Sequence, residues 1–105
     1  MFELHPQLAA DCAVVGDLPL CRVLLLNDSQ YPWLILVPRQ AGLRELFELS
    51  AEQRTQYCRE SDLAAAILTR QFNAEKLNIA ALGNMVPQLH IHHIARFTDD
   101  PCWPK

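Results

Sequence analysis

The sequence predicts an α+β fold in which one long helix packs on a mainly antiparallel sheet of about five strands. The chain has 105 residues, half of them apolar and 20% charged, which fits one ordinary domain over residues 1–105. Several apolar runs are short and end at Pro, Gly or Asn, which is typical of strands. One longer segment carries capping residues and an apolar stripe at helical spacing.

The predicted strands are short apolar segments separated by turn residues. A helical turn over 8–11 leads into the first of them, which ends at the turn Gly16-Asp17-Leu18-Pro19. The second and third lie on either side of the polar run 27–30, so we expect them to form a hairpin. The five strand segments are 12–16, 21–26, 33–37, 77–82 and 89–95.

The helix signal begins at Ser50. Ser50-Ala51-Glu52-Gln53 matches a capping box, in which the serine and glutamine side chains satisfy each other's backbone N–H groups. Asn73 is a suitable stop, and 1.5 Å per residue gives a helix of about 33 Å. The predicted buried stripe is Tyr57, Ser61, Ala64, Leu68 and Phe72.

Charge and composition argue against several classes of protein. The 9 Lys and Arg against 12 Asp and Glu give a net charge of −3 without a basic block, which argues against binding to a nucleic acid backbone. The longest apolar run, 63–68, is far too short to cross a membrane, and we expect a cytoplasmic protein. The four cysteines lack Cys-x-x-Cys spacing, so we expect reduced, half-buried side chains.

The last predicted strand carries the candidate chemistry. Because successive side chains of a strand alternate between faces, Gln88, His90 and His92 share one face. The opposite face receives Leu89, Ile91 and His93. Two imidazoles and an amide on one face favour a functional site, whereas His5 stands alone near the start of the chain and is expected to be an ordinary surface histidine.

The segment 83–96 resembles the signature of the histidine triad (HIT) family. That signature is His-φ-His-φ-His-φ-φ, with Gly-Asn or Gly-Gln a few residues before it, and here Gly83-Asn84 precedes Gln88-Leu89-His90-Ile91-His92. Gln88 stands where the first histidine belongs. The resemblance extends to 24–27, to 32–38 and to the capped helix, so the order of elements agrees from about residue 12 to 97.

The resemblance implies a nucleotidyl hydrolase or transferase acting on dinucleoside polyphosphates, nucleoside phosphoramidates or related compounds. Its middle histidine, here His90, is the nucleophile, and a backbone carbonyl on the same strand fixes the tautomer of that ring. A free imidazole has a pKa of about 6.5, so a neutral histidine is a competent nucleophile at neutral pH. His90 would attack the α-phosphorus and form a covalent nucleotidyl-histidine that water then cleaves.

The resemblance also assigns roles to the neighbouring polar residues. Asn84 is expected to contact phosphate, His92 to support the phosphate or the triad hydrogen bonds, and Asn27 to lie near the ribose. The family's first histidine assists the leaving group, whereas Gln88 donates a hydrogen bond but has no proton to transfer. Trp33-Leu34 replaces a Gly-His pair that is common in the family, and we expect His93 to be a pocket or interface residue.

Three functional interpretations follow. An enzyme acting through His90 on a nucleotide or nucleotide conjugate, as a homodimer and without cofactor or metal, is preferred because His90, His92 and Asn84 are intact. A non-catalytic nucleotide-binding protein is the alternative that Gln88 permits. A metal-binding His-x-His protein ranks last, because the remaining ligands would have to come from Asp99, Cys102 or His93.

Overall fold

The five strands form one antiparallel sheet, and a computed structural model describes all 105 residues. The strands are β1 (Cys12–Asp17), β2 (Cys21–Leu26), β3 (Trp33–Pro38), β4 (Lys76–Ala81) and β5 (Ile91–Arg96). The helices are α1 (Pro6–Asp11) and α2 (Ala51–Phe72), with one turn of 3-10 helix at Leu46–Glu48. The strand order β1-β2-β3-β5-β4 confirms the predicted α+β fold and places β5 inside the sheet.

Four of the five predicted strands match the observed bounds to within one residue, and the last strand differs more. The segment 21–26 is strand β2 as predicted, and β2 pairs with β3 as the expected hairpin. The last strand begins at Ile91, so Leu89 and His90 lie before it. The backbone N–H of Leu89 donates to the carbonyl of Leu43 at 3.0 Å, which means that a loop rather than a strand pairs with this segment.

Helix α2 begins and ends at the predicted residues. Ser50 and Gln53 form the reciprocal capping box, and Asn73 ends the helix in the left-handed region with φ of 58°. Tyr57, Ala64 and Leu68 are buried as the stripe predicts. Phe72 was expected to be buried and is 47% exposed, because it lines the wall of an open cleft instead of facing the sheet. Neither helix is long and apolar enough to cross a membrane.

Glu60 is a buried charge within α2 that the stripe did not predict. One of its carboxylate oxygens accepts a hydrogen bond from the backbone N–H of Cys21 at 2.7 Å, and the other accepts from the N–H of Leu20 at 2.8 Å. The side-chain amide of Gln56 donates a third bond at 2.7 Å. Glu60 therefore satisfies backbone donors at the start of β2 and fixes α2 against the sheet.

The core has two parts, one on each face of the sheet. On the face that carries α2, Cys21, Leu36 and Ile91 pack against Tyr57 and Ala64 of the helix. On the other face, the N-terminal segment covers the sheet, since Leu8 of α1 lies in one cluster with residues of β2 and β3. The buried members of that second cluster are Leu8, Leu24, Ile35 and Val37, with Phe2 and Leu4 packed against them.

The four cysteines are free and differ in burial. Cys12 is half-buried as expected, but Cys21 is completely buried, and burial raises the pKa of its thiol. Cys58 and Cys102 are exposed, so the expectation of half-buried side chains was wrong for three of the four.

Candidate active site

The two histidines of the predicted site face lie side by side on the face that the N-terminal segment partly covers. His92 is paired with Ile35 of β3, and Ile35 belongs to the cluster on that face. His90 lies two residues earlier on the same face. The ring centroids of His90 and His92 are 5.0 Å apart and their planes meet at 70°, so the alternation predicted from the sequence brings these two imidazoles together.

The environment of His90 fixes its tautomer. Its Nδ1 lies 2.7 Å from the backbone carbonyl oxygen of Gln88, and a carbonyl oxygen only accepts hydrogen bonds. Nδ1 therefore carries the proton, and Nε2 carries the lone pair. His90 is 7% exposed, and its contact with the Gln88 carbonyl orients the buried ring. This contact is the backbone acceptor that the family resemblance implies for the nucleophile.

His92 has the opposite tautomer. The indole Nε1–H of Trp33, which only donates, points at Nδ1 of His92 at 3.0 Å. Nδ1 must accept, so the proton of a neutral His92 lies on Nε2. Burial, reinforced by the neighbouring His90 and His93, lowers the pKa of His92 to about 4, which keeps the ring neutral near pH 7.

The lowered pKa predicts a loss of stability on acidification. In the unfolded chain an imidazole takes up a proton at about pH 6.5, whereas folded His92 resists it until about pH 4. The unfolded state thus binds more protons in this window, so the stabilisation present above pH 6.5 is lost as the pH falls toward 4. We expect His92 to account for ~2 kcal/mol of that loss, less than the full linkage value because the ring is only half-buried.

Urea unfolding at a series of pH values measures this effect. His93, whose pKa burial also lowers, contributes in the same direction and stays in the background. The variant His92→Asn should therefore lose less unfolding free energy than the parent between about pH 7 and pH 5. An identical pH dependence in the two proteins would contradict the assignment.

Gln88 is tied to the start of the chain. Its Oε1 accepts a hydrogen bond from the backbone N–H of His5 at 2.8 Å, and its Nε2 donates to the backbone carbonyl of Glu3 at 2.8 Å. The side-chain amide thus pairs with residues 3–5 as a neighbouring strand would. The N-terminal segment is held beside the site by the residue that stands where the first histidine of the signature belongs.

His93 is a core residue, so its expected role at a pocket or interface was wrong. It is completely buried on the face that carries α2. Its Nδ1 lies 3.1 Å from the carbonyl oxygen of Ile91, and its Nε2 lies 2.7 Å from the Ser61 hydroxyl. With the proton on Nδ1, Nε2 accepts from Ser61, so His93 joins the sheet to α2 and satisfies both ring nitrogens.

The two candidate asparagines are exposed and lie in loops next to strands. Asn27 is exposed at the end of β2, in a cleft of about 580 Å³ that is also lined by Asp11, Cys12 and Phe72 and contains none of the histidines. Asn84 is exposed in the loop before β5, after Gly83, whose φ of 125° favours glycine. The contacts of Asn27 with ribose and of Asn84 with phosphate stay predictions.

Comparison with known proteins identifies the family. A sequence model of the HIT domain matches residues 7–99, which is most of the chain and includes both histidines of the site. The chain belongs to the histidine triad (HIT) family. This agrees with the resemblance of segment 83–96 to the family signature, and HIT membership indicates nucleotide binding or nucleotidyl hydrolysis or transfer.

Solved HIT structures match the whole fold. A histidine triad protein from Marinobacter aquaeolei VT8 is 51% identical with a TM-score of 0.98, and the match covers 100% of this chain and 77% of that one. One from Bradyrhizobium japonicum is 46% identical with a TM-score of 0.97, covering 99% and 78%. One from Sinorhizobium meliloti 1021 is 47% identical with a TM-score of 0.97, covering 99% and 77%. No curated protein matches the chain.

The geometry of this HIT site also bears on metal binding. His93 points toward α2, so of the three histidines in the signature segment only His90 and His92 share a face. No group of three or more His, Cys, Asp or Glu side chains converges anywhere in the structure. A His-x-His metal site would need further ligands that neither Asp99 nor Cys102 supplies beside this pair.

Proposed function

We propose that this HIT protein is a nucleotidyl hydrolase or transferase, acting on dinucleoside polyphosphates or nucleoside phosphoramidates through a covalent nucleotidyl-His90 intermediate. The observation that carries the proposal is the 2.7 Å contact between Nδ1 of His90 and the Gln88 carbonyl. It leaves the Nε2 lone pair for attack on phosphorus and holds the ring so that this lone pair has a fixed direction.

The proposed reaction has two displacements at the α-phosphorus. The lone pair of His90 Nε2 forms a P–N bond while the bond from phosphorus to the leaving group breaks, and the leaving group departs with the electron pair. The imidazole then carries a positive charge, which the carbonyl of Gln88 stabilises through the Nδ1–H. A water molecule, or another acceptor in a transferase, then attacks the same phosphorus while the P–N bond breaks. The electron pair of that bond returns to Nε2, the attacking group releases its proton to solvent, and neutral His90 is restored.

Hydrogen-bond donors would stabilise the charge on the phosphoryl oxygens in both displacements. His92 is suited to this because its Nε2–H is not used by the bond from Trp33, which engages the other ring nitrogen. Asn84, exposed in the loop before β5, supplies an amide donor on the approach to the site. Asn27 is proposed to bind the ribose from the cleft at the end of β2.

Mass spectrometry tests the covalent intermediate directly. The protein is mixed with a dinucleoside polyphosphate such as diadenosine triphosphate and quenched in alkali, because P–N bonds to imidazole hydrolyse in acid. We expect an added adenylate mass, located on the peptide that contains His90. An adduct on another residue would refute the assignment, and turnover without any adduct at short reaction times would favour direct hydrolysis by water.

A non-catalytic nucleotide-binding protein is the second candidate, and the engagement of Gln88 favours it. Both ends of the Gln88 amide bond to the N-terminal segment, so this side chain has neither a proton to transfer nor a free orientation toward a leaving group. Tight binding of AMP by calorimetry, together with no turnover of any dinucleoside polyphosphate or phosphoramidate, would support this candidate over the enzyme.

We also propose a homodimer that joins the sheets of two protomers through their edge strands and helices. Strand β4 lies at one edge of the sheet, and its Ile79 is 49% exposed on the face that carries α2. Light scattering at micromolar concentration should give twice the 12.0 kDa of one chain.

A lysine at the edge strand should weaken this dimer. We expect Ile79→Lys to shift the mass toward that of the monomer, because a charge on an edge strand opposes strand pairing. Val14→Lys on the opposite edge, where Val14 is 55% exposed in β1, is the matched control and should leave the mass unchanged. A monomeric parent protein would contradict the dimer, and loss of the dimer only with Val14→Lys would place the contact at the other edge.

A further inference from the structure

Trp33 makes the one side-chain hydrogen bond that His92 receives within the chain. The indole Nε1 lies 3.0 Å from Nδ1 of His92, and the two rings meet edge to face with centroids 5.6 Å apart at 67°. Indole N–H is a donor and never an acceptor. The contact is therefore compatible with only one neutral tautomer of His92.

The two neighbouring histidines are consequently held in complementary states. His90 has its proton on Nδ1, directed at the Gln88 carbonyl, and presents a lone pair at Nε2. His92 has its lone pair on Nδ1, occupied by Trp33, and presents an N–H at Nε2. If His92 took the other tautomer, Nε2 would present a second lone pair, which would repel phosphoryl oxygens.

We propose that Trp33 is a positioning residue that fixes His92 as the Nε2–H tautomer, so that His92 donates a hydrogen bond to the phosphoryl group that His90 attacks. The part concerning the phosphoryl group rests on the proposed function. The part concerning the tautomer rests only on the contact between Trp33 and His92. Trp33 does not touch the reacting atoms and acts through the His92 ring.

The surroundings of Trp33 hold its indole in place. Tyr31 packs edge to face against it, with ring centroids 6.3 Å apart at 86°. The guanidinium of Arg96 lies 5.6 Å from the Tyr31 ring centroid, and Asp100 binds it at 2.7 and 3.0 Å. Tyr31 thus packs against the indole, and the buried ion pair of Arg96 and Asp100 holds Tyr31 in turn.

Nitrogen NMR of the histidine rings tests the tautomer. In protein labelled with ¹⁵N in its imidazole rings, two-bond proton–nitrogen correlations distinguish a protonated ring nitrogen from one that carries a lone pair. We expect Nδ1 of His92 to be unprotonated and Nδ1 of His90 to be protonated. In Trp33→Phe, which removes the donor but keeps an aromatic ring, the His92 signals should move to values averaged over both tautomers.

Two further variants keep the test decisive. Trp33→His restores a ring N–H near the same place and should recover part of the parent tautomer preference, even if the phenylalanine variant folds poorly. Trp103→Phe is the matched control, because Trp103 packs on Arg96 and makes no contact with His92. It should leave the His92 signals unchanged. A Trp33→Phe protein that retains the Nε2–H tautomer of His92 would overturn the proposal.

Kinetics and AMP binding test the consequence for phosphate. With a dinucleoside polyphosphate, Trp33→Phe should lower kcat about tenfold with a smaller change in KM, the size expected for one misdirected hydrogen bond. Unchanged kcat despite mixed tautomers would overturn the role toward the phosphoryl group. If the parent has no turnover, the proposed enzymatic function is wrong, but the Trp33 proposal can still be tested by AMP binding. In that case AMP should shift the Nε2–H signal of His92 more in the parent than in Trp33→Phe, and equal shifts would overturn the role toward the phosphoryl group.

Discussion

Replacing His90 with alanine is expected to abolish turnover, by on the order of 10⁴-fold or more, while nucleotide binding survives. The imidazole is the only group on this face with a lone pair directed by a hydrogen bond on its other nitrogen, since the Gln88 carbonyl holds Nδ1 at 2.7 Å. The donors that would hold phosphate belong to His92 and Asn84 and are unaffected by the substitution. The loss should therefore appear in kcat rather than in affinity.

Calorimetry with AMP and a hydrolysis assay on the same sample measure both quantities. His5→Ala is a matched control, because His5 is a histidine outside the pair and its backbone N–H, not its ring, bonds to Gln88. The control should retain parent turnover. Undiminished turnover in His90→Ala would remove the central assignment, whereas loss of AMP binding would mean that the His90 ring is part of the binding surface.

Local signals in the sequence were sufficient to predict most of the fold. The capping residues Ser50 and Gln53 and the stop at Asn73 act within a few residues of one another, so their effect on the backbone is readable without tertiary contacts. The period of two in segment 88–93 likewise predicted which imidazoles share a face, and the ring pair of His90 and His92 confirms it. The fold class and the face of the site both follow from such short-range rules.

The contacts that define the site chemistry join residues far apart in sequence, and no periodicity encodes them. Trp33 and His92 are 59 positions apart, and Gln88 and His5 are 83 apart. The polar burial of Glu60 and His93 was missed for the same reason. Each is satisfied by a partner on another element, at Cys21 for the carboxylate and at Ser61 for the imidazole, and only such partners make burial of a polar group favourable.

Replacing Gln88 with histidine is expected to raise the turnover of nucleoside phosphoramidates with an alkylamine leaving group by about 10²-fold relative to dinucleoside polyphosphates. The substitution supplies a group that can protonate the leaving group at the first position of the signature. An amine departs slowly without a proton, whereas a phosphate leaves as a stable anion and gains little. The variant also loses the hydrogen bond that Gln88 donates to Glu3 and the one that it accepts from His5, but that loss affects both substrates alike.

The decisive quantity is the rate ratio of variant to parent, measured for each substrate under the same conditions. Gln88→Ala is the matched control, since it removes the same two bonds to the N-terminal segment without adding an acid. Its ratio should be equal for the two substrates. If Gln88→His also gives equal ratios, or lowers both, then the amide is required for holding residues 3–5 beside the site. In that case the residue at the first position of the signature would stabilise the N-terminal segment in this protein, and the lack of a general acid there would not limit the reaction.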